Sequence, residues 1–228
     1  MYTELMNQPY GNLELSFSLP SKINKLRTYF ESTFYKQGQV VFNESNTPRG
    51  LYYIESGKVK IYKYGSDGKE QIIRIAKPGD FLGYRELLTN TRYTVSASIL
   101  EDAVLAFVPK EDFNNLLRED ADFTTFFTQL LSRDLAEAEE KMVALAYKPV
   151  RGRLAETLLE LDKVFENENK KNLISLSRED LANIIGTAKE TVIRLLSEFK
   201  SEKLININGR TIRVVDPNGL LRINNLYN

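Results

Sequence analysis

Ser177-Arg178-Glu179-Asp180-Leu181-Ala182-Asn183-Ile184-Ile185, then Gly186-Thr187-Ala188, then Lys189-Glu190-Thr191-Val192-Ile193-Arg194-Leu195-Leu196-Ser197-Glu198-Phe199-Lys200 is the stretch whose pattern decides the reading of the chain. Ser177, with Asp180 three residues on, is a capping pattern that satisfies free backbone donors in the first turn of a helix. Gly186 supplies a turn, and a second helix is predicted from Lys189 to Lys200. At 100° per residue, Val192, Leu195, Leu196 and Phe199 share one third of that helix and must face a core. The opposite face carries Glu190, Arg194, Ser197 and Ser201, with Lys189 to one side. Downstream, Asn208-Gly209 between Leu204–Ile207 and Thr211–Val215 predicts a type I′ hairpin. The order is a helix-turn-helix followed by a two-stranded wing.

A second helix exposed in this way suits the major groove of double-stranded DNA, where its first turns meet base edges. Arg194 can donate two hydrogen bonds to guanine O6 and N7, Glu190 can accept from cytosine N4, and Lys189 can reach a base or a phosphate. Ser177, Arg178, Thr191 and Arg210 suit phosphate contacts. A plainer reading of the same residues is an i, i+4 surface ion pair between Glu190 and Arg194, worth about 0.2–0.5 kcal/mol. Residues 177–213 hold seven basic and five acidic side chains, a net of +2. That electrostatic footprint is weak, so binding has to rest on a few placed contacts and on dimeric avidity.

Upstream, Leu154, Leu158, Leu161 and Phe165 mark one face of a further helix from Arg153 to Phe165, followed by a polar loop over 166–172. Pro149 ends the segment before it and sets a boundary. That segment, Lys110 to Tyr147, reads as helical, and Leu131, Leu135, Ala138, Met142 and Leu145 follow a 4, 3, 4, 3 spacing flanked by charges. Such a heptad seam pairs helices between subunits. It can equally pack on the chain's own N-terminal part.

That N-terminal part is rich in turns. Seven of the 12 glycines fall between Gly38 and Gly83, and none between Tyr84 and Arg151. The strands predicted between them are Val40–Phe42, Leu51–Glu55, Val59–Tyr64, Ile72–Ala76, Thr94–Ile99 and Ala103–Pro109, spaced as in a barrel or sandwich of hairpins. Leu19 to Phe34 is read as a short amphipathic lead-in. The expected fold class is α+β, with an N-terminal β-barrel domain and its lead-in helix over 1–109, a dimerisation-helix region over 110–148, and a winged helix-turn-helix domain over 149–228.

Composition narrows the chemistry. Of 228 residues, 42% are hydrophobic and 27% charged, and 31 basic side chains balance 31 acidic ones, as in a globular protein rather than a polyelectrolyte. No apolar run exceeds six residues (Ala103–Val108, Met142–Tyr147), far from the ~20 that span a bilayer. The N-terminus has no signal-peptide pattern. The expectation is a cytoplasmic protein with no membrane partner. With no cysteine, disulfides, iron–sulfur clusters and thiolate zinc sites are excluded. With no histidine, histidine-bound metals, haem and catalytic triads go too. No metal site and no enzyme activity are expected.

Taken together, these residues resemble the family of the cyclic-AMP receptor protein and the fumarate–nitrate regulator, the Crp/Fnr family, over almost the whole chain. In the barrel the resemblance rests on Gly50-Leu51-Tyr52-Tyr53-Ile54-Glu55-Ser56-Gly57-Lys58-Val59 and Pro78-Gly79-Asp80-Phe81-Leu82-Gly83. In the C-terminal part it rests on Ser177 to Ala182, Gly186 to Leu196, and Asn208-Gly209-Arg210-Thr211-Ile212. It implies a cyclic-nucleotide-binding-type jelly roll, a long dimerisation helix and a winged helix-turn-helix, working as a homodimeric transcription regulator. Lys189, Glu190 and Arg194 coincide with the family's base-reading positions. RNA polymerase is a further implied partner where the outcome is activation.

The departures from the family pattern concern the effector. Members that bind cyclic AMP place a glutamate directly after the glycine that corresponds to Gly83, and an Arg-Ser pair further on. Here Tyr84 takes the first position and Tyr93-Thr94 the pair, so cyclic AMP in that geometry is not expected. A one-residue slip brings in Arg92, and Arg85 lies close, which leaves open an unidentified small anionic ligand, with no cofactor otherwise expected. The effector pocket is expected around Gly83, Tyr84, Arg85, Arg92, Tyr93 and Thr94. Ala188 replaces a hydroxyl residue of the cyclic-AMP type, while Thr191 remains. The absent cysteines and histidines exclude the iron–sulfur and haem sensors of the family. Two other functions compete: a metal-dependent barrel enzyme, for which the chain lacks histidines, and a nucleotide-binding module whose winged domain contacts protein instead of DNA.

Overall fold

The computed structural model describes residues 25–166 and 172–226. The expected lead-in falls partly on residues 19–24, outside that range. Its last part is not helical: Glu31–Tyr35 forms strand β1, antiparallel to a later strand from Glu31↔Phe107 to Tyr35↔Ala103. Four of the five β1 residues are exposed, so no apolar alternation marked it as a strand.

β2 (Val40–Phe42) follows, then β3 (Gly50–Tyr64), β4 (Glu70–Ala76), β5 (Phe81–Leu82), the short helix α1 (Tyr84–Thr89) and β6 (Ser96–Pro109). Two pairs of predicted strands are each one long strand. Leu51–Glu55 and Val59–Tyr64 join as β3, and Thr94–Ile99 and Ala103–Pro109 join as β6, with the two long strands paired antiparallel. Gly57 looked like a turn between strands but acts as a bulge. Its φ of +82° suits glycine, and a Cβ there would lie 2.3 Å from the Asp102 carbonyl oxygen. The sheet order is β1-β6-β3-β4, with β2 on β6 and β5 on β3. Leu51, Ile54, Val59, Ala97, Ala103, Leu105 and Val108 are almost wholly buried and fill the barrel.

The stretch predicted as one helical run is two helices, α2 (Lys110–Glu119) and α3 (Ala121–Tyr147), broken at Asp120. Asp120 is extended (φ −124°, ψ 102°), and its carboxylate accepts from the Phe123 amide at 3.1 Å and pairs with Lys25 at 2.6 Å. An N-cap of this kind starts a new helix in place of continuing the old one. Phe123 and Phe127 on α3 join Phe113 and Phe81 in an edge-to-face cluster that docks the first half of the long helix on the barrel.

The C-terminal part comprises α4 (Val150–Val164), β7 (Ile174–Ser175), α5 (Arg178–Ile185), α6 (Lys189–Ser201), β8 (Ile205–Asn208), β9 (Thr211–Val214) and α7 (Pro217–Asn225). Residues 167–171 of the predicted polar loop lie outside the described residues. The wing has three strands, in the order β7-β9-β8. The two-residue β7 and the helix α7 escaped the sequence reading. The hairpin loop is Gly209-Arg210, with Asn208 paired to Thr211 and only Gly209 at positive φ, +56°. That is the II′ arrangement, with glycine first, and not the predicted I′ turn centred on Asn208-Gly209.

The two halves touch directly. Lys60 on β3 bridges Glu70 (2.7 Å) and Asp180 (3.4 Å), Gln71 donates to the Ile184 carbonyl at 3.3 Å, and the Lys58 ammonium sits 4.4 Å from the Phe165 ring centre. Ile75 and Leu100 of the barrel pack against the C-terminal core. Among the described residues no helix is long and apolar enough to cross a membrane.

Candidate nucleic-acid interface and effector-type pocket

Helix α6 buries Val192, Leu195, Leu196 and Phe199, the face expected from their spacing. Lys189, Glu190, Arg194 and Ser197 are exposed on the other side, and Thr191 is half-buried. Ile193 is also exposed there, at 46%. Apolar periodicity gives no sign of it, because that signal marks only residues facing the core. Beside Arg194 it offers a methyl surface of the kind that reads thymine.

Arg194 does not pair with Glu190. Its Nη1 lies 2.6 Å from Glu198 Oε1, and Glu198 is held from behind by Arg151 at 2.9 Å. Arg151 also pairs with Glu202 at 2.7 Å and stacks 4.8 Å from the centre of the Phe199 ring. A carboxylate already fixed by one arginine loses little further freedom on taking a second, so Glu198 outcompetes Glu190. Glu190 sits in the first turn of α6, where the helix dipole favours a negative charge.

Ser177 caps α5: its Oγ accepts from the Asp180 amide at 2.9 Å and donates to the Asp180 carboxylate at 2.6 Å. Arg178 reaches across to the wing, donating to the Gly209 and Arg210 carbonyls at 3.3 Å each, which ties the first helix to the hairpin tip. Partial burial presses the pKa of Arg178 down, though it remains a cation. Arg210 is exposed on that tip, and Lys189 faces Glu179 at 3.6 Å. The hydroxyl of Ser177 is thus engaged within the chain on both sides, while Arg210 is open to solvent.

In the barrel, Gly83 has φ +81° and begins α1, and a Cβ there would lie 3.2 Å from the Tyr93 ring and hydroxyl. Tyr84 is 2% exposed, and its hydroxyl donates to Asp134 on α3. Burial, and then the Asp134 carboxylate, raise the Tyr84 pKa, so the phenol stays protonated. Glu86 is buried and accepts from the Thr94 hydroxyl at 2.8 Å. Tyr93 is buried and stacked on Phe42 with centres 3.9 Å apart. The free volume left beside Gly83, Tyr84 and Arg85 is about 100 Å³. Pockets that hold drug-sized ligands have roughly 300–1,000 Å³. Arg92 and Tyr93 do not line this cavity.

Five charged cavity residues escaped the sequence reading: Arg74, Glu86, Asp134, Glu137 and Lys141. Arg74 lies at a bulge, where Ile61 pairs with Arg74 and Tyr62 with Ile72, so Ile73 and Arg74 both line the cavity and a period of two could not have placed them. Asp134 and Lys141 come from α3, and nothing local in the sequence places them there. Among the described residues no cluster of carboxylates suits a metal ion.

The seam residues divide. Leu131 packs against the barrel cluster, whereas Leu135 and Met142 are 62% and 66% exposed. Ala138 is exposed and lies at the rim of the cavity. Leu145 is half-exposed and leans on the helix-turn-helix, its Cδ2 lying 3.3 Å from the point a Cβ on Gly186 would occupy. The alternative of packing on the chain's own barrel therefore holds for the start of the seam and not for its middle.

Comparison with known proteins agrees with this geometry. Residues 32–120 match the family model of the cyclic nucleotide-binding domain, and residues 152–223 that of the Crp-like helix-turn-helix domain. The chain is 28% identical over 195 residues to the cyclic AMP receptor protein of Thermus thermophilus, covering 86% of this chain and 88% of that one. It is 30% identical over 172 residues to the anaerobic regulatory protein of Bacillus subtilis, covering 74% of this chain and 72% of that one. The solved structure of a CRP/FNR-family transcriptional regulator from Thermus thermophilus superposes with a TM-score of 0.72 at 26% identity, covering 86% of this chain and 98% of that one.

Proposed function

The chain belongs to the Crp/Fnr family of DNA-binding transcription regulators, and from that membership we propose that it works as a cytoplasmic homodimer reading an inverted repeat without cyclic AMP. The division of labour is a barrel over 1–109, a dimerisation region over 110–148 and a reading domain over 149–228. The observation that carries the proposal is α6, whose Val192, Leu195, Leu196 and Phe199 are buried while Lys189, Glu190 and Arg194 are exposed to solvent on the other side, the two cations in surface ion pairs only.

Arg194 donates to guanine O6 and N7, Glu190 accepts from cytosine N4, and Lys189 serves a neighbouring base or phosphate. Arg210 on the wing and Thr191 take phosphates. Arg178 acts chiefly by fixing the wing against α5, and Ser177 by capping α5, so both set the position of phosphate contacts more than they make them. The Arg194–Glu198 pair is solvent-exposed, and such pairs are worth about 0–1 kcal/mol, so Arg194 can be transferred to a base at little cost. Two copies joined along Leu135, Ala138 and Met142 would present two such helices to half-sites about one helical turn apart, ~34–36 Å. RNA polymerase is a further partner where binding activates.

Independence from cyclic AMP is supported by Tyr84. It occupies the position of the family's ribose-binding glutamate and turns its hydroxyl to Asp134 in a cavity too small for a nucleotide. Selection of bound duplexes from a random library, with no nucleotide added, tests the reading. Enrichment of an inverted repeat is expected, and enrichment of no sequence would overturn it.

A further inference from the structure

The barrel holds a second, larger hollow of about 490 Å³ that shares Phe42 with the cavity beside Gly83 and is walled by Tyr93 and Tyr52. Two arginines, Arg49 and Arg92, line it together with Asn46 and Thr47, and no lining residue is acidic. Arg92 is anchored by one nitrogen, which donates to the Ser45 carbonyl at 2.9 Å, and its remaining N–H groups are left for other acceptors. Arg49 is exposed and enters no ion pair among the described residues.

The hollow is built in advance. Ser45 stands in the left-handed region (φ +69°), which a serine adopts only when its surroundings hold it there. They do: the Ser45 amide donates to the Tyr93 carbonyl at 2.8 Å, and the Tyr93 amide donates to the Asn46 carbonyl at 2.9 Å. The loop carrying Asn46, Thr47 and Arg49 is thereby clamped to the segment carrying Arg92. Two guanidinium groups with no carboxylate paired to them among the described residues suit a doubly charged oxyanion, which takes paired N–H donors. The hydroxyl of Thr47 and the amide of Asn46 add neutral donors, and the partly exposed Tyr52, beside the buried Phe42–Tyr93 stack, suits a planar ring. The volume lies within the range of sites for small ligands.

We propose that this hollow binds a small phosphorylated molecule bearing a planar ring, with a nucleoside monophosphate as its simplest form, at a site separate from the cavity beside Gly83. The proposal does not depend on how the winged domain reads DNA. The probe is 5′-AMP titrated calorimetrically into the full chain, with adenosine and inorganic phosphate testing ring and headgroup alone. Saturation at one 5′-AMP per chain is expected, with both fragments much weaker. Arg49→Gln and Arg92→Gln should each weaken 5′-AMP about tenfold or more, the effect of losing one charge-assisted bond. Because Arg92→Gln also cuts the tether to Ser45, Arg49→Gln decides if the other variant does not fold.

Absence of 5′-AMP binding at millimolar concentration would overturn the proposal. So would binding that responds to Tyr84→Phe and not to Arg49→Gln, since the ligand would then sit beside Gly83. A loss of duplex affinity in Arg49→Gln with no nucleotide present would also overturn it, by assigning the hollow to the DNA backbone.

Discussion

Replacing Leu135 or Met142 by alanine should weaken self-association without unfolding the chain. Leu135 and Met142 are 62% and 66% exposed, so most of each side chain has yet to leave water. Full burial of such a side chain is worth about 1.5–3 kcal/mol, and the exposed share therefore corresponds to roughly 1–2 kcal/mol per copy. A two-fold interface uses the same residue on both subunits, so one substitution removes about 2–4 kcal/mol, or roughly 30- to 1,000-fold in the dimer dissociation constant. Sedimentation equilibrium across a wide concentration range reads that constant directly, and far-UV circular dichroism checks that α3 is retained. A variant that dimerises as tightly as the parent would refute the seam, as would a parent chain that stays monomeric.

Other substitutions separate roles that lie close together. Arg194→Ala should cost about 1–3 kcal/mol on the selected operator and relax preference at one guanine, whereas Arg210→Ala should weaken all duplexes alike, as titrations on operator and scrambled DNA will read. Ser177→Ala should destabilise the folded chain by about 1 kcal/mol in urea unfolding and leave the salt dependence of DNA binding unchanged, because its hydroxyl caps α5. A shallower salt slope would instead make it a phosphate ligand. Asp120→Ala should lower Tm by ~2–4 °C at neutral pH through loss of the cap on α3. The hydrogen bond from Lys25, and then that from the Phe123 amide, hold the Asp120 pKa below its ordinary 3.8. Stabilisation from a depressed carboxylate is present above the unfolded-state value and lost as pH falls through the folded one, so the two proteins should converge in acid. A gap that persists at pH 2 would show that the carboxylate charge is not what matters.

The sequence alone revealed what is encoded locally. The buried face of α6 was written in Val192, Leu195, Leu196 and Phe199, the cap of α5 in Ser177 and Asp180, and the bend after Asn208 in Gly209. Elements that depend on partners far along the chain were hidden. β1 carries almost no buried side chain of its own and exists because β6 offers it an edge. Gly57 reads as a turn until Asp102 and Ala103 are brought against it, when it becomes a bulge inside one strand. The same holds for the sites. Tyr84 stood out as a departure from a family pattern, but its partner Asp134 lies 50 residues away and only the fold joins them. Arg194 had two carboxylates at i ± 4, and the choice of Glu198 over Glu190 was set by Arg151 on another helix.

Fluorescence anisotropy of the purified chain on its selected duplex, across a salt series with and without cyclic AMP, tests the central claim most directly. The expected result is tight, salt-dependent binding of one dimer per inverted repeat that cyclic AMP does not change. Binding that appears only when cyclic AMP is added would contradict the account, which rests on a cavity of about 100 Å³ beside Tyr84 and Asp134 that is too small for the nucleotide.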